Sequence, residues 1–172
     1  WEKKLGSGTW ILYAGNPDRY QNLELLAEAL RRLRARGLDL NLLVLSHHSR
    51  DAFTMFSPDL MDAIKVEPFD GIADLAAAHR AVTLGVCPRA LETGFPIKVI
   101  NYLAAGLPVV GLQSSMGALL PELGDALVPN DVDLFCDAIQ RHLHGKGKPE
   151  LAEVFNVRTQ LEKIESVYRN LV

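Results

Sequence analysis

Short apolar runs alternate with amphipathic stretches along the chain. Residues Thr9–Ala14 (TWILYA), bounded by Gly6, Gly8 and Gly15, predict a buried strand. Leu23, Leu26, Leu30 and Leu33 then fall on one face, with Arg31, Arg32, Arg34 and Arg36 around it. That spacing predicts an amphipathic helix, which Gly37 ends. Leu40–Leu45 (LNLLVL) reads as a second buried strand and residues 64–68 as a weaker third. A short Ala-rich helix is expected over 70–80, a strand over 81–87 (AVTLGVC) and a helix over 96–105, stopped by Gly106. A strand at 108–112, a short strand at 126–128 and helices at Val132–Leu143 and 158–171 follow. The stretch 145–148 (GKGK) reads as an exposed connector.

Strands that are apolar on both faces and separated by helices imply a parallel sheet covered on both sides. Crossovers between such strands are right-handed, so the expected fold is α/β, a Rossmann-like doubly wound parallel sheet. The 172 residues fit a single domain able to bury its own core, and 48% hydrophobic with 23% charged residues is ordinary for a globular protein. A formal net charge of −3 argues against a nucleic-acid partner, which calls for a basic surplus. Cys87 and Cys136 have no C-x-x-C spacing, so neither a disulfide framework nor a zinc site is expected. The longest apolar stretch, 99–112, is broken by Asn101, Gly106 and Pro108 and is too short for a membrane span. No signal peptide is evident. A start at Trp1 in place of Met suggests a piece of a longer protein, with Trp1 expected to be exposed at the cut.

In such a sheet the carboxyl ends of the strands carry the chemistry. After the first strand come Gly15, Asn16, Pro17, Asp18, Arg19, Tyr20 and Gln21, a tight turn with one cation leading into a helix. After the 81–87 strand, Arg89 stands before Thr93-Gly94-Phe95-Pro96-Ile97-Lys98. Gly94 permits close backbone approach, Thr93 can cap, and the free N–H groups of the helix start, with Lys98 one turn in, form an anion site. The polar run 113–117 after the next strand could face a sugar or phosphate. Taken singly, each junction also fits plain turn chemistry or solvated surface charge; three at one sheet edge favour an anionic ligand. His47 and His48 are adjacent with no third ligand nearby, which reads as a polar loop and not a metal site. Cys87 reads as a small core residue.

Three segments resemble the C-terminal, donor-binding half of a GT-B glycosyltransferase of the group 1 (family 4) kind: 11–26 (ILYAGNPDRYQNLELL), 86–110 (VCPRALETGFPIKVINYLAAGLPVV) and 117–138. The middle one is the most specific, with an acidic-Gly-Phe stretch running into a helix and then A-x-G-x-P-V-V. The resemblance implies that residues 1–172 form one nucleotide-sugar-binding domain of a two-domain enzyme lacking its N-terminal acceptor half. Its donor would be a UDP- or GDP-linked sugar, transferred with retention and without a bound metal or other cofactor. It implies catalytic roles for Arg19, Lys98 and Thr93. Donor contacts would come from Gly15, Asn16, Arg89, Gly94, Phe95, Ile97 and Asn101, with Phe69 and Gly71 placed near the nucleobase. The partners implied are the donor and an acceptor (a glycan, a lipid-linked glycan or a small molecule), in a polysaccharide-building, cytoplasmic setting that allows peripheral contact with the inner membrane face through the missing half.

The sequence departs from that family pattern at four positions. Two Glu residues separated by seven are replaced by Thr93 and Asn101, and the basic pair of the first loop falls on Asn16 and Gln21. Arg19 and Lys98 would supply the missing charge, and Asn101 would bond the ribose hydroxyls less strongly than a carboxylate. Asn101 could instead satisfy local backbone on a helix packed beneath the 108–112 strand. The replaced acids keep a non-catalytic partner subunit in play as the alternative. A nucleotide-sugar epimerase would call for more acid/base groups, and a receiver domain for clustered acids after the first strand.

Overall fold

The computed structural model describes residues 1–92, 94, 96–116, 121–144 and 161–162. A short helix α1 (Glu2–Leu5) precedes β1 (Thr9–Ala14), α2 (Leu23–Ala35), β2 (Leu40–Leu45), α3 (Ser49–Thr54) and β3 (Ile64–Glu67). The second half runs through α4 (Gly71–Arg80), β4 (Leu84–Cys87), α5 (Ile97–Ala104), β5 (Val109–Leu112), α6 (Gln113–Met116), β6 (Leu127–Val128) and α7 (Val132–Leu143). The six strands pair in parallel in the order β3-β2-β1-β4-β5-β6. That order reverses between β1 and β4, which places a topological switch point at their carboxyl ends.

Successive strand residues point to opposite faces, and both faces are buried. Ile11, Tyr13, Leu42, Val44, Val86 and Val110 pack with the leucines of α2 and with Phe135 and Ile139 of α7. Trp10, Leu12, Leu43, Leu45 and Val109 pack on the other side with Val99, Tyr102 and Leu103 of α5. Both faces are therefore covered by helices, as the runs of Leu and Val require.

Tyr102 shows how this packing shapes the upper edge. A Cβ added at Gly85 would meet the Tyr102 ring at 2.5 Å, so only glycine lets α5 lie this close to β4. The hydroxyl oxygen of Tyr102 then accepts the Ala14 N–H at 2.8 Å, tying α5 to the end of β1.

Several expectations need correction. Residues 81–83 do not belong to β4; Ala81 instead closes α4, its N–H bonded to Ala78 O at 3.1 Å. Residues 113–116 form a helical turn in place of a polar loop, and Ser115 turns inward, its Oγ donating to Leu112 O at 3.2 Å. Trp1 is half-buried, its Nε1 donating to Asp74 at 2.7 Å while Lys4 lies over the ring. The turns α1, α3 and α6 are too short to leave a periodic signal. The connector at 145–148, Gly117 and most of the 158–171 helix lie outside the described residues. Among the described residues no helix is long and apolar enough to cross a membrane.

Candidate active site

A cavity of about 440 Å³ opens at the switch point. Its lining comes from the carboxyl ends of β1, β2 and β4, the loop after β3 and the start of α5. Gly15, Asn16, Tyr20 and Gln21 form one wall; Arg89, Pro96, Ile97, Lys98 and Asn101 form another; Ser46, His47 and Phe69 close the third. The two main walls are fastened together by backbone: Ala90 N–H donates to Tyr20 O at 3.2 Å. The Tyr13 hydroxyl donates to Asn16 O at 2.8 Å and holds the turn after β1 closed.

Both cations of the lining rest against tyrosines. The Lys98 ammonium lies 4.0 Å from the centre of the Tyr13 ring, and the Arg89 guanidinium lies 5.6 Å from that of Tyr20. Arg89 is buried and also reaches Gly94 O at 3.4 Å. Lys98 Nζ donates to Gln21 Oε1 at 2.7 Å. Burial holds the Lys98 ammonium down to about 8, while the same burial pushes the Cys87 thiol and the Tyr13 phenol up. No Asp or Glu lines the cavity among the described residues. Asp18, in the loop after β1 and outside the lining, is the carboxylate that acts on the Lys98 charge, and the first-turn N–H groups of α5 add to the positive potential of the cavity.

The structure gathers Gly15, Asn16, Arg89, Ile97, Lys98, Asn101 and Phe69 around this one space. Gly94 stands behind Arg89 and outside the lining. Arg19 is exposed on a 3₁₀ turn (Arg19–Gln21) and does not face the cavity, because that turn directs Gln21 inward in its place. Gly71 opens α4 with φ +73°, away from the lining. Thr93 and Phe95 lie outside the described residues. Asn101 is exposed at the rim, which removes the alternative of a buried amide beneath β5.

Sequence reasoning passed over His47, whose ring lies 4.2 Å from that of Phe69 at a 38° tilt. Its place just past the end of β2 was the available signal. Gln21 stands where the family pattern has a cation, and its contact with Lys98 has no sequence signature. Among the described residues, no group of three His, Cys, Asp or Glu is arranged to hold a metal ion.

The cation-lined cavity lies at the switch point of a doubly wound sheet, where open α/β sheets bind their ligands. The chain belongs to the group 1 glycosyl transferases, a family that matches residues 8–145. Comparison with curated proteins yields no match. The solved structure of TarM aligns at a TM-score of 0.72 and 12% identity, covering 94% of this chain and 35% of that one. A mutant of S. aureus TarM in complex with Fondaparinux, alpha-GlcNAc-glycerol and UDP gives 0.69 at 12% identity, covering 80% and 29%. WaaG, a glycosyltransferase involved in lipopolysaccharide biosynthesis, gives 0.62 at 17% identity, covering 84% and 40%. At these identities the likeness is one of fold, the GT-B domain. The chain spans between 29% and 40% of the length of these three proteins.

Proposed function

We propose that this chain binds the donor of a sugar transfer, a nucleoside diphosphate sugar linked to UDP or GDP. The observation that carries the reading is the pair of cations, Arg89 and Lys98, set on tyrosine faces in a cavity whose described lining has no carboxylate. A diphosphate is the ligand that such a space favours, and its charge grows on the leaving oxygen as the glycosidic bond breaks. Lys98, Arg89 and the α5 N–H groups, fixed before the reaction, would stabilise that charge in place of a metal ion. Asn101 at the rim suits a ribose diol, since its amide both donates and accepts. His47 and Phe69 offer ring faces to the base. That S. aureus TarM was solved with UDP agrees with this choice. Acceptor binding and the retaining outcome would rest on a second domain beyond this chain.

The experiment is titration of the 172-residue chain with UDP, GDP and ADP by calorimetry. Saturable binding of one nucleotide in preference to the others, lost on adding the corresponding nucleotide sugar, is the expected result. Failure of all three to bind at millimolar concentration would sink the reading. A non-catalytic partner subunit is the second reading, favoured by the neutral Asn101 and the acid-free described lining. It predicts nucleotide binding without donor turnover when the acceptor domain is present.

A further inference from the structure

Lys98 enters the cavity from α5, yet its ammonium is held by the opposite loop. Nζ donates to Gln21 Oε1 at 2.7 Å and lies over the Tyr13 ring. A Cβ added at Gly15 would come within 2.8 Å of Nζ, so the ammonium sits directly on the backbone of the turn. Gln21 is itself fixed: the residue is 8% exposed, and its backbone N–H donates to Asp18 O at 2.8 Å. Among the described residues, no carboxylate lies within 4.0 Å of the Lys98 ammonium. A carboxylate at position 21 would hold the ammonium but cancel its charge. An apolar side chain would keep the charge and leave it desolvated and unheld. A neutral acceptor does neither, and a π face beneath adds attraction without a countercharge.

We propose that Gln21 is a positioning residue for Lys98: its amide oxygen, with the Tyr13 ring, anchors the ammonium over Gly15 so that its full charge meets the diphosphate of a bound donor. This rests on the donor-site reading above. It also changes what Gln21 means, since a position that reads as a lost cation becomes the seat of a cation supplied from α5. The groups facing Lys98 are Tyr13 from β1, Asp18 and Gln21 from the following loop, Cys87 from the end of β4 and Arg89 from the connector to α5. Tyr20 and His47 share the same cavity. Of the charged ones, Asp18 favours the ammonium and Arg89 opposes it, with burial outweighing both.

The test follows the 13Cε resonance of Lys98 with pH in the ligand-free 172-residue chain, assigned by its loss in Lys98→Met. Gln21→Leu removes the acceptor and should lower the midpoint by roughly one pH unit, while Gln21→Glu adds a countercharge and should raise it by a similar amount. Unfolding would send both midpoints up toward the ordinary value of 10.5, so only an anchored ammonium takes the leucine variant below about 8. At pH 7, UDP affinity should fall about ten-fold in both variants, for lack of placement in one and for lack of net charge in the other. Midpoints unmoved by either substitution would overturn the anchoring, even if UDP binds. Midpoints that shift as expected in a chain that binds no UDP would support the anchor and overturn its role toward a diphosphate.

Discussion

The chain treats its cations in two ways, and the flank formed by α2 contrasts with the switch-point cavity. On the flank each arginine pairs with carboxylates: Arg31 with Glu28 and Asp59, Arg32 with Glu28 and Asp133, Arg34 with Asp62, and Arg36 with Asp137 and Asp133; Arg31 and Arg34 also donate to Ser57 Oγ and Leu40 O. These pairs are solvent-exposed, and the guanidiniums of Arg32 and Arg31 hold Glu28 below the usual carboxylate range, while Arg31 brings Asp59 down to about 2. In the cavity, Lys98 meets an amide oxygen and two tyrosines flank the cations. Charge that is paired at the surface is worth little and is available to no ligand. Charge held by neutral groups in a partly closed space is kept for an anion that arrives later.

The largest effect that this contrast predicts is at Lys98. Lys98→Ala should weaken UDP binding by about ten- to a hundred-fold, the loss of one charge-assisted contact of roughly 1.5–3 kcal/mol. The fold should survive, because Lys98 lines the cavity and belongs to neither apolar cluster of the core. Calorimetric titration and a melting curve at pH 7 check both halves. Unchanged affinity would make Lys98 another solvated surface cation and erase the distinction.

Next is a pH dependence with opposite signs for binding and for stability. Burial lowers the folded-state value of Lys98 to about 8, below the ordinary 10.5. Below about 8 the ammonium is charged in folded and unfolded chains alike, and its burial costs stability. Between about 8 and 10.5 the unfolded chain binds more protons, so this group makes stability rise with pH. UDP affinity should fall over the same window as the cation is lost. Denaturation and titration series from pH 7 to 10 in wild type and Lys98→Met would show the two slopes and their disappearance in the variant. Affinity that stays flat to pH 10 would contradict the assignment.

A smaller change is expected at Asn101. Its exposure means that Asn101→Glu adds no buried charge, so melting should be little altered. UDP affinity should hold or improve a few-fold, an ionised acceptor being the stronger partner for a ribose diol, while Asn101→Leu should reduce it. Equal affinities in all three chains would remove Asn101 from the ribose. Least affected should be Arg32→Ala, which breaks two exposed pairs. Its melting temperature should stay close to that of wild type and its UDP affinity unchanged; a clear loss of affinity would mean that the flank also serves the site.

What the sequence determined is periodicity and order. Thr9–Ala14, Leu40–Leu45 and Val132–Leu143 could be bounded to the residue because their apolar patterns leave few alternatives. The structure adds why α7 starts where it does: the Asp131 carboxylate accepts from the N–H groups of Asp133 and Leu134. Alternation of strands and helices then implied a parallel doubly wound sheet, and the junction residues Gly15, Asn16, Arg89, Lys98 and Asn101 marked its carboxyl edge. Contacts between residues far apart in the chain were not legible. Gln21 and Lys98 are 77 positions apart, Ala14 and Tyr102 are 88, and His47 meets Phe69 only because β2 and β3 end side by side. A residue's type limits the bonds it can make, but which bond it makes depends on the partner that the sheet brings to it. Arg19 and Gln21 sit two positions apart on one turn, and only the tertiary structure decided that the neutral one faces the cavity.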